Sequence, residues 1–282
     1  MENKKIMIEK DSVQETLILP LYGRKIATEL YPTLFSDPSA QQLIDRLDYD
    51  FSKEEEKSMG LMQRFGSLEV AMRQKDLSAE VREYLARYPY ATVVNMGCGL
   101  DQSAENCDNG TCRIVNLDMP EVIAVRQQLI PPRDRVRNIA ADLNDLQWIS
   151  RIDGSQGVVF FASGVFCYFR KEQIRKIFNA MALAFPKGKL VFDSYGKLAL
   201  KIMLKTFIKE SGIGNVQAFF SVSDLKEDID PWMENATVSC KPYMYGYHDL
   251  NDACISDFFR FLAQIGDRFL KMKIIRMDFE SR

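Results

Sequence analysis

Histidine is almost missing from this chain: His248 is the only one in 282 residues. It stands outside any motif that would aim it at a substrate. No Ser-His-Asp or Cys-His arrangement and no metal-ligand spacing is visible, which argues against hydrolysis and metal catalysis. Net charge is nearly missing too. Thirty-seven Lys and Arg face 39 Asp and Glu, leaving −2. Such a balance offers no field for nucleic acid or an anionic membrane. No apolar run approaches the length of a bilayer span. Met1 to Ser12 is rich in charge and has neither an apolar h-region nor a small-residue cleavage site, so a cytoplasmic protein is expected. Repeats and low-complexity tracts are absent.

Cysteine is present but unpatterned. Cys98, Cys167, Cys240 and Cys254 lie in apolar or strand-like stretches and are expected as reduced core thiols. Cys107 and Cys112 flank an Asp-Asn-Gly-Thr turn, with no histidine and no second cysteine pair nearby. They are expected as two free thiols in a loop.

What the chain does have is an ordinary globular balance, 46% hydrophobic and 27% charged, and two contrasting halves. Val13–Glu29, Ala40–Leu47 and Ser78–Tyr88 show apolar residues at three- and four-residue spacing, and Asp37-Pro38-Ser39 reads as a turn or N-cap. Gly60–Asp76 is mixed, and Lys53–Lys57 reads as a solvated helix face. This segment shows no strand signal, so residues 1–90 are expected as a helical cap of the same domain. From Thr92 the pattern alternates. Strands are expected near 92–97, 113–118, 136–141, 157–163 and 189–194, with helices at Pro120–Leu129 and Lys171–Phe185 between them. A helix at Lys197–Lys209, an irregular insertion at about 211–236, and a final β–α–β (Thr237–Tyr247, Cys254–Lys271, Lys273–Phe279) complete residues 91–282. Strands alternating with helices imply an α/β, doubly wound, Rossmann-like sheet.

The chemistry concentrates between Thr92 and Asp118. A strand runs into Gly97-Cys98-Gly99-Leu100-Asp101, and a second strand ends in Asp118, 19 residues beyond Gly99. Doubly wound proteins hold a nucleoside this way: glycines let the backbone approach, and the acid accepts from the ribose hydroxyls. Gln102 stands where a dinucleotide fingerprint needs its third glycine, where its side chain would crowd a pyrophosphate. That argues against NAD and for a nucleoside without pyrophosphate, of which S-adenosylmethionine is the commonest. Asp118 can equally cap the helix that opens at Pro120.

The ordered set of motifs resembles the leucine carboxyl methyltransferase family, in the bacterial branch similar to the tetracenomycin polyketide O-methyltransferase. Leu19-Pro20-Leu21-Tyr22-Gly23-Arg24, Phe35-Ser36-Asp37-Pro38, Arg73 followed by Asp76, the glycine loop, Asp118-Met119-Pro120, Ala141-Asp142-Leu143, Trp148 and Ala162 through Tyr168 carry the likeness. It implies a class I methyltransferase with a seven-stranded sheet and S-adenosyl-L-methionine as cofactor. It also implies that Gly97, Gly99, Asp101 and Asp118 cradle the nucleoside, while Asp142 and Leu143 meet the adenine. Arg73 would clamp the methionyl carboxylate, a bidentate task suited to guanidinium; a helix-surface ion pair with Glu69 or Asp76 is its alternative. Arg24 either assists or is exposed. Ser163 replaces the glutamate common in relatives and brings no charge for the cofactor ammonium.

Tyr168, Tyr195, Trp232, Tyr243 and Tyr245 are candidates for the acceptor wall, with core packing as the even alternative. No general base is evident, so catalysis is expected to rest on proximity. The resulting expectation is O-methylation of a carboxylate or phenolic hydroxyl on a small, polyketide-like molecule. Methylation of a protein's C-terminal carboxylate and a non-catalytic S-adenosylmethionine-binding protein are the alternatives.

Overall fold

The computed structural model describes residues 5–10, 12–58, 60–203 and 218–280. In the cap, β1 (Ile6–Met7) precedes a 3-10 turn over Val13–Leu17, where the Ser12 hydroxyl accepts from the Gln14 amide. Then come α1 (Ile18–Leu30), α2 (Pro38–Asp45), β2 (Leu47–Asp48), α3 (Ser52–Ser58) and α4 (Leu61–Arg87). Asp37 caps α2 by accepting from the Ser39 amide at 3.1 Å, and Pro38 sits in the first turn, where its missing donor costs nothing. α3 buries no residue, as its run of charge implies.

The core follows as β3 (Thr92–Met96), α5 (Ser103–Asn106), β4 (Arg113–Asp118), α6 (Pro120–Leu129), β5 (Val136–Ala140), β6 (Val158–Ala162), α7 (Lys171–Ala184) and β7 (Lys189–Ser194). After these come α8 (Lys197–Met203), α9 (Leu225–Asp228), β8 (Ala236–Pro242), α10 (Asp257–Arg268) and β9 (Lys273–Phe279). Seven strands form one sheet in the order β5-β4-β3-β6-β7-β9-β8. The first five are mutually parallel, and β9 runs antiparallel between β7 and β8. The sheet is therefore mixed rather than purely parallel. Strand order reverses between β3 and β6, the switch point where doubly wound folds open a crevice beyond the strand ends.

Two apolar cores cover the two faces of the sheet, and a third joins α1 and α2 to α6. α4 is one helix through the stretch whose pattern looks mixed. It packs on α1 as well as on β6, β7 and β9, so its apolar residues are spread around the cylinder instead of along one stripe. β1 and β2 pair with each other, a short ladder unsuspected in a segment read as helical, and they stay apart from the main sheet. The remainder of the helix expected at Lys197–Lys209, and residues 211–217 of the expected insertion, lie outside the described residues. Residues 218–236 hold α9 and a 3-10 turn at Asp230–Trp232. Among the described residues no helix is long and apolar enough to cross a membrane.

Cys107 and Cys112 are free thiols in the loop before β4, as expected, and are buried in the core on that side of the sheet, while Cys98 and Cys167 are buried as expected. Cys240 and Cys254 depart from expectation: Cys240 is exposed on the edge strand and Cys254 is half-buried.

Candidate active site

The crevice is built first from backbone. Gly97 and Gly99 have φ of +64° and +47°, and a Cβ on Gly97 would run into the side chain of Val165. The chain turns back over β4, with the Gly97 and Cys98 amides both donating to the Leu117 carbonyl at 2.8 and 3.2 Å. Asp118 closes the turn: one carboxylate oxygen accepts from the Gly99 amide at 2.7 Å, the other from the Met119 amide at 2.8 Å. Asp118 does not cap the helix that opens at Pro120, whose N-cap is Met119 without a side-chain cap hydrogen bond, and each of its oxygens keeps a further acceptor position for a hydroxyl. Burial pushes its carboxyl above the usual range, while the two amides hold it down.

Other side chains hold this loop. The guanidinium of Arg126, wholly buried, donates to the carbonyls of Gly99 and Asp101 at 2.9 and 2.6 Å and pairs with Glu105 at 2.8 Å. Arg24 is buried too. It pairs with Asp37 at 2.9 Å and donates to the Leu100 carbonyl at 3.0 Å, so the two cap motifs serve to fasten the cap to the glycine loop. Asp101 accepts from the Ser103 amide and hydroxyl, at 3.0 and 2.8 Å, and from the side-chain amide of Gln74. Its role in the fold is that of a hub at the crevice edge.

A cavity of about 260 Å³ occupies the crevice, and all eight residues proposed from the sequence for the cofactor line it. Asp142 sits in a turn, one of its oxygens accepting from the Asn144 amide at 2.9 Å. Leu143 is buried beside it, its carbonyl fixed by the Trp148 indole N–H at 3.2 Å.

Arg73 reaches the crevice from α4 and forms neither of the helix-surface pairs open to it in the sequence. It lies 3.2 Å from Asp193 and 3.3 Å from the Tyr195 hydroxyl, while the other Asp193 oxygen accepts from the Gly164 amide at 2.6 Å. The Arg73 Nε is buried with no hydrogen-bond partner among the described residues, a donor left for an anion.

Beyond Arg73 opens a second cavity of about 230 Å³, with Tyr168, Tyr195 and Tyr243 in its wall. Burial holds all three phenols well above their ordinary range, and hence neutral. The two cavities share Pro20, Val70, Arg73, Ser163, Gly164 and Tyr168. Trp232 lines neither. It is buried in the core on the other face of the sheet, stacked on Phe178 at 6.2 Å with its indole N–H donating to the Asp228 carbonyl at 2.6 Å. An aromatic in a polar stretch looked like an acceptor wall but serves as the apolar plug of α7. Tyr245 donates instead to the Arg260 carbonyl at 3.2 Å, and His248 lies 3.4 Å from buried Asp76.

Three residues escaped the sequence reading. Asp193 carries the same signal as Asp118, an acid at the end of an apolar strand. Arg126 and Glu69 carry none, since each is one charged residue among several in its helix.

Comparison with known proteins bears on the family and the fold. Residues 19–182 match the family described as leucine carboxyl methyltransferase. The chain is 28% identical over 190 residues to the tetracenomycin polyketide synthesis O-methyltransferase TcmP of Streptomyces glaucescens, covering 66% of this chain and 67% of that one. Among solved structures, a DUF574 family protein from Streptomyces avermitilis aligns with a TM-score of 0.58 at 13% identity, over 91% of this chain and 96% of that one. The plantazolicin methyltransferase BamL, solved with a triazolic desmethylPZN analog and SAH, aligns with a TM-score of 0.52 at 10% identity, over 96% and 100%. These two likenesses speak to the fold.

Proposed function

This chain belongs to the leucine carboxyl methyltransferase family, and we propose that it is an O-methyltransferase using S-adenosylmethionine to methylate a carboxylate or phenolic hydroxyl of a small, polyketide-like molecule. The observation that carries the reading is the seam between the two cavities, where Arg73, Ser163, Gly164 and Tyr168 belong to both walls. A donor in one cavity and an acceptor in the other would meet at these shared residues. A relative 28% identical to this chain is named for tetracenomycin polyketide synthesis, which favours a small acceptor over a protein terminus.

The residues present fit the cofactor. The glycine turn offers bare backbone that a Cβ would fill, Asp118 has acceptor positions for two ribose hydroxyls, and the unpartnered Arg73 Nε suits the methionyl carboxylate. Asp142 and Leu143, beyond β5, would hold the adenine. When bound, the cofactor would supply a sulfonium methyl group for transfer to an oxygen nucleophile, with S-adenosylhomocysteine as the leaving group. The protein's part is to hold that nucleophile in line at the seam, which proximity alone makes effective.

Calorimetric titration with S-adenosylhomocysteine and with NAD, followed by mass spectrometry of aromatic hydroxyl and carboxyl compounds incubated with S-adenosylmethionine, tests the reading. Binding of the first ligand alone and gain of one methyl by a small compound are expected. Binding without transfer to any such compound would favour the non-catalytic alternative; failure to bind would remove the cofactor assignment.

A further inference from the structure

We infer, building on the methyltransferase reading above, that Glu69 is a specificity-determining residue of the second cavity, selecting acceptors that carry a hydrogen-bond donor, a hydroxyl or an amine, about one helical turn from the reacting oxygen. Either a carboxylate or a phenol can be the reacting group. Among the described residues lining that cavity, Glu69 is the one carboxylate and Arg73 the one cation, and both belong to α4. They stand four residues apart, a rise of about 6 Å. A glutamate four residues before an arginine ordinarily pairs with it on a helix. Here Arg73 turns instead to Asp193 at 3.2 Å. The Glu69 backbone carbonyl accepts from Tyr243 at 3.0 Å, but no hydrogen bond or ion pair holds its carboxylate among the described residues.

The cavity is therefore polar in opposite senses along its length. At the seam with the first cavity stand groups that donate: Arg73, whose Nε has no partner, and the hydroxyl-bearing Ser163 and Tyr168. One turn along α4 stands an acceptor, Glu69. Most of the remaining wall is apolar, with Met62, Phe65, Leu270 and Met272 in it, and the Ser67 hydroxyl is spent on the Arg64 carbonyl at 2.8 Å. None of the charged or titratable groups nearby supplies Glu69 with a donor. Arg73 forms its ion pair with Asp193 from β7, and Asp267, on α10, accepts from the Met244 and Tyr245 amides at 2.9 and 3.0 Å. Tyr168, Tyr195 and Tyr243 are neutral phenols, and the Tyr243 hydroxyl serves the Glu69 backbone.

A ligand that lays bare hydrocarbon against Glu69 strips water from a carboxylate and returns nothing, whereas one that lays an O–H or N–H there supplies the missing partner. A site built this way rejects the analogue lacking the donor, because its own polar group is left unpaired. Burial pushes the Glu69 carboxyl up to about 7, against a smaller downward pull from Arg73, so its strength as an acceptor grows as pH rises through neutrality.

The test uses the full chain saturated with S-adenosylhomocysteine and two probe pairs whose members differ only by an amine, which cannot itself be the reacting oxygen. They are 4-aminobenzoate with benzoate and 7-amino-2-naphthol with 2-naphthol, one pair for each reacting group. Calorimetry at pH ~8 should show the amino compound binding about tenfold tighter or more in at least one pair, with the gap narrowing at pH ~6, where Glu69 is protonated. Glu69→Leu should bring that ratio to within about twofold of unity at both pH values. Glu69→Gln, which keeps a neutral acceptor of the same shape, should leave an intermediate ratio that no longer changes with pH. A variant that merely loosened the fold would weaken both members of a pair together and leave their ratio standing. Equal binding within both pairs by the wild type, no binding of any probe, or an undiminished ratio in Glu69→Leu would overturn the inference. Failure of the wild type to bind S-adenosylhomocysteine would instead strike the cofactor reading on which it rests.

Discussion

Arg126 is the strongest test of how the crevice is held together. Its guanidinium is wholly buried, and its three partners are two carbonyls of the glycine loop and Glu105. In Arg126→Met the apolar stem is kept and the fork is lost. Glu105 then retains only the Asn116 amide at 2.9 Å, and the Gly99 and Asp101 carbonyls lose their donor. Removing one partner of a buried ion pair costs about 3–5 kcal/mol, chiefly through the charge left behind. For a chain of this size that corresponds to a fall in Tm of roughly 6–20 °C. The double variant Arg126→Met, Glu105→Gln should recover part of the loss, since the orphaned charge is gone and the two sites are directly coupled. Urea unfolding of the wild type, both singles and the double measures the cycle, and calorimetry with S-adenosylhomocysteine reads the loop. Affinity should fall in Arg126→Met and should not return in the double variant, because the carbonyls remain unheld. If the single variant unfolds within about 1 kcal/mol of wild type, or binds the ligand equally well, Arg126 is not the tether described here.

Asp118→Ala removes the anchor of the Gly99 and Met119 amides and the acceptor proposed for the ribose; at about 1.5–3 kcal/mol for a hydrogen bond to a charged group, S-adenosylhomocysteine affinity should fall tenfold or more by calorimetry, and unchanged binding would sink the assignment. Trp232→Ala should cost about 3–5 kcal/mol in urea unfolding and leave cofactor affinity alone, whereas a stable variant with reduced affinity would return Trp232 to the site. Burial raises the Asp76 carboxyl from its ordinary 3.8 to about 8. A raised folded value means its favourable contribution is complete below the ordinary value and is lost as pH climbs toward 8. Wild type should therefore lose stability relative to Asp76→Asn across that window, and parallel pH profiles of the two proteins would refute the shift.

The fold was legible wherever one residue period dominates. β4, β7 and β9 occupy the expected residues, and α6 begins at the proline that marks it. α4 was hardest to read because it is sandwiched between α1 and the sheet, which erases a single stripe. The β1–β2 ladder was invisible because two-residue strands carry no alternation. Its pairing joins segments that only the folded cap brings together.

The site divides along a sharper line. Its cofactor half is assembled from strand ends and the turns that follow them, so each piece carries its own local signature: glycines where φ must be positive, and acids at strand tips. The acceptor half is assembled from α4 and, more than a hundred residues further along the chain, Tyr195 beyond β7 and Tyr243 beyond β8, whose side chains would acquire a role only by meeting. Nothing in the neighbourhood of Glu69 distinguishes it from the solvated acids of α3, and nothing around Trp232 distinguishes a plug from a wall. Burial decides both. It hides Trp232 behind α7, and it leaves Glu69 as the uncommitted acid facing the space where an acceptor would lie. The residues proposed for the cofactor are thus legible in sequence order, whereas those proposed for the acceptor come together only through tertiary contacts.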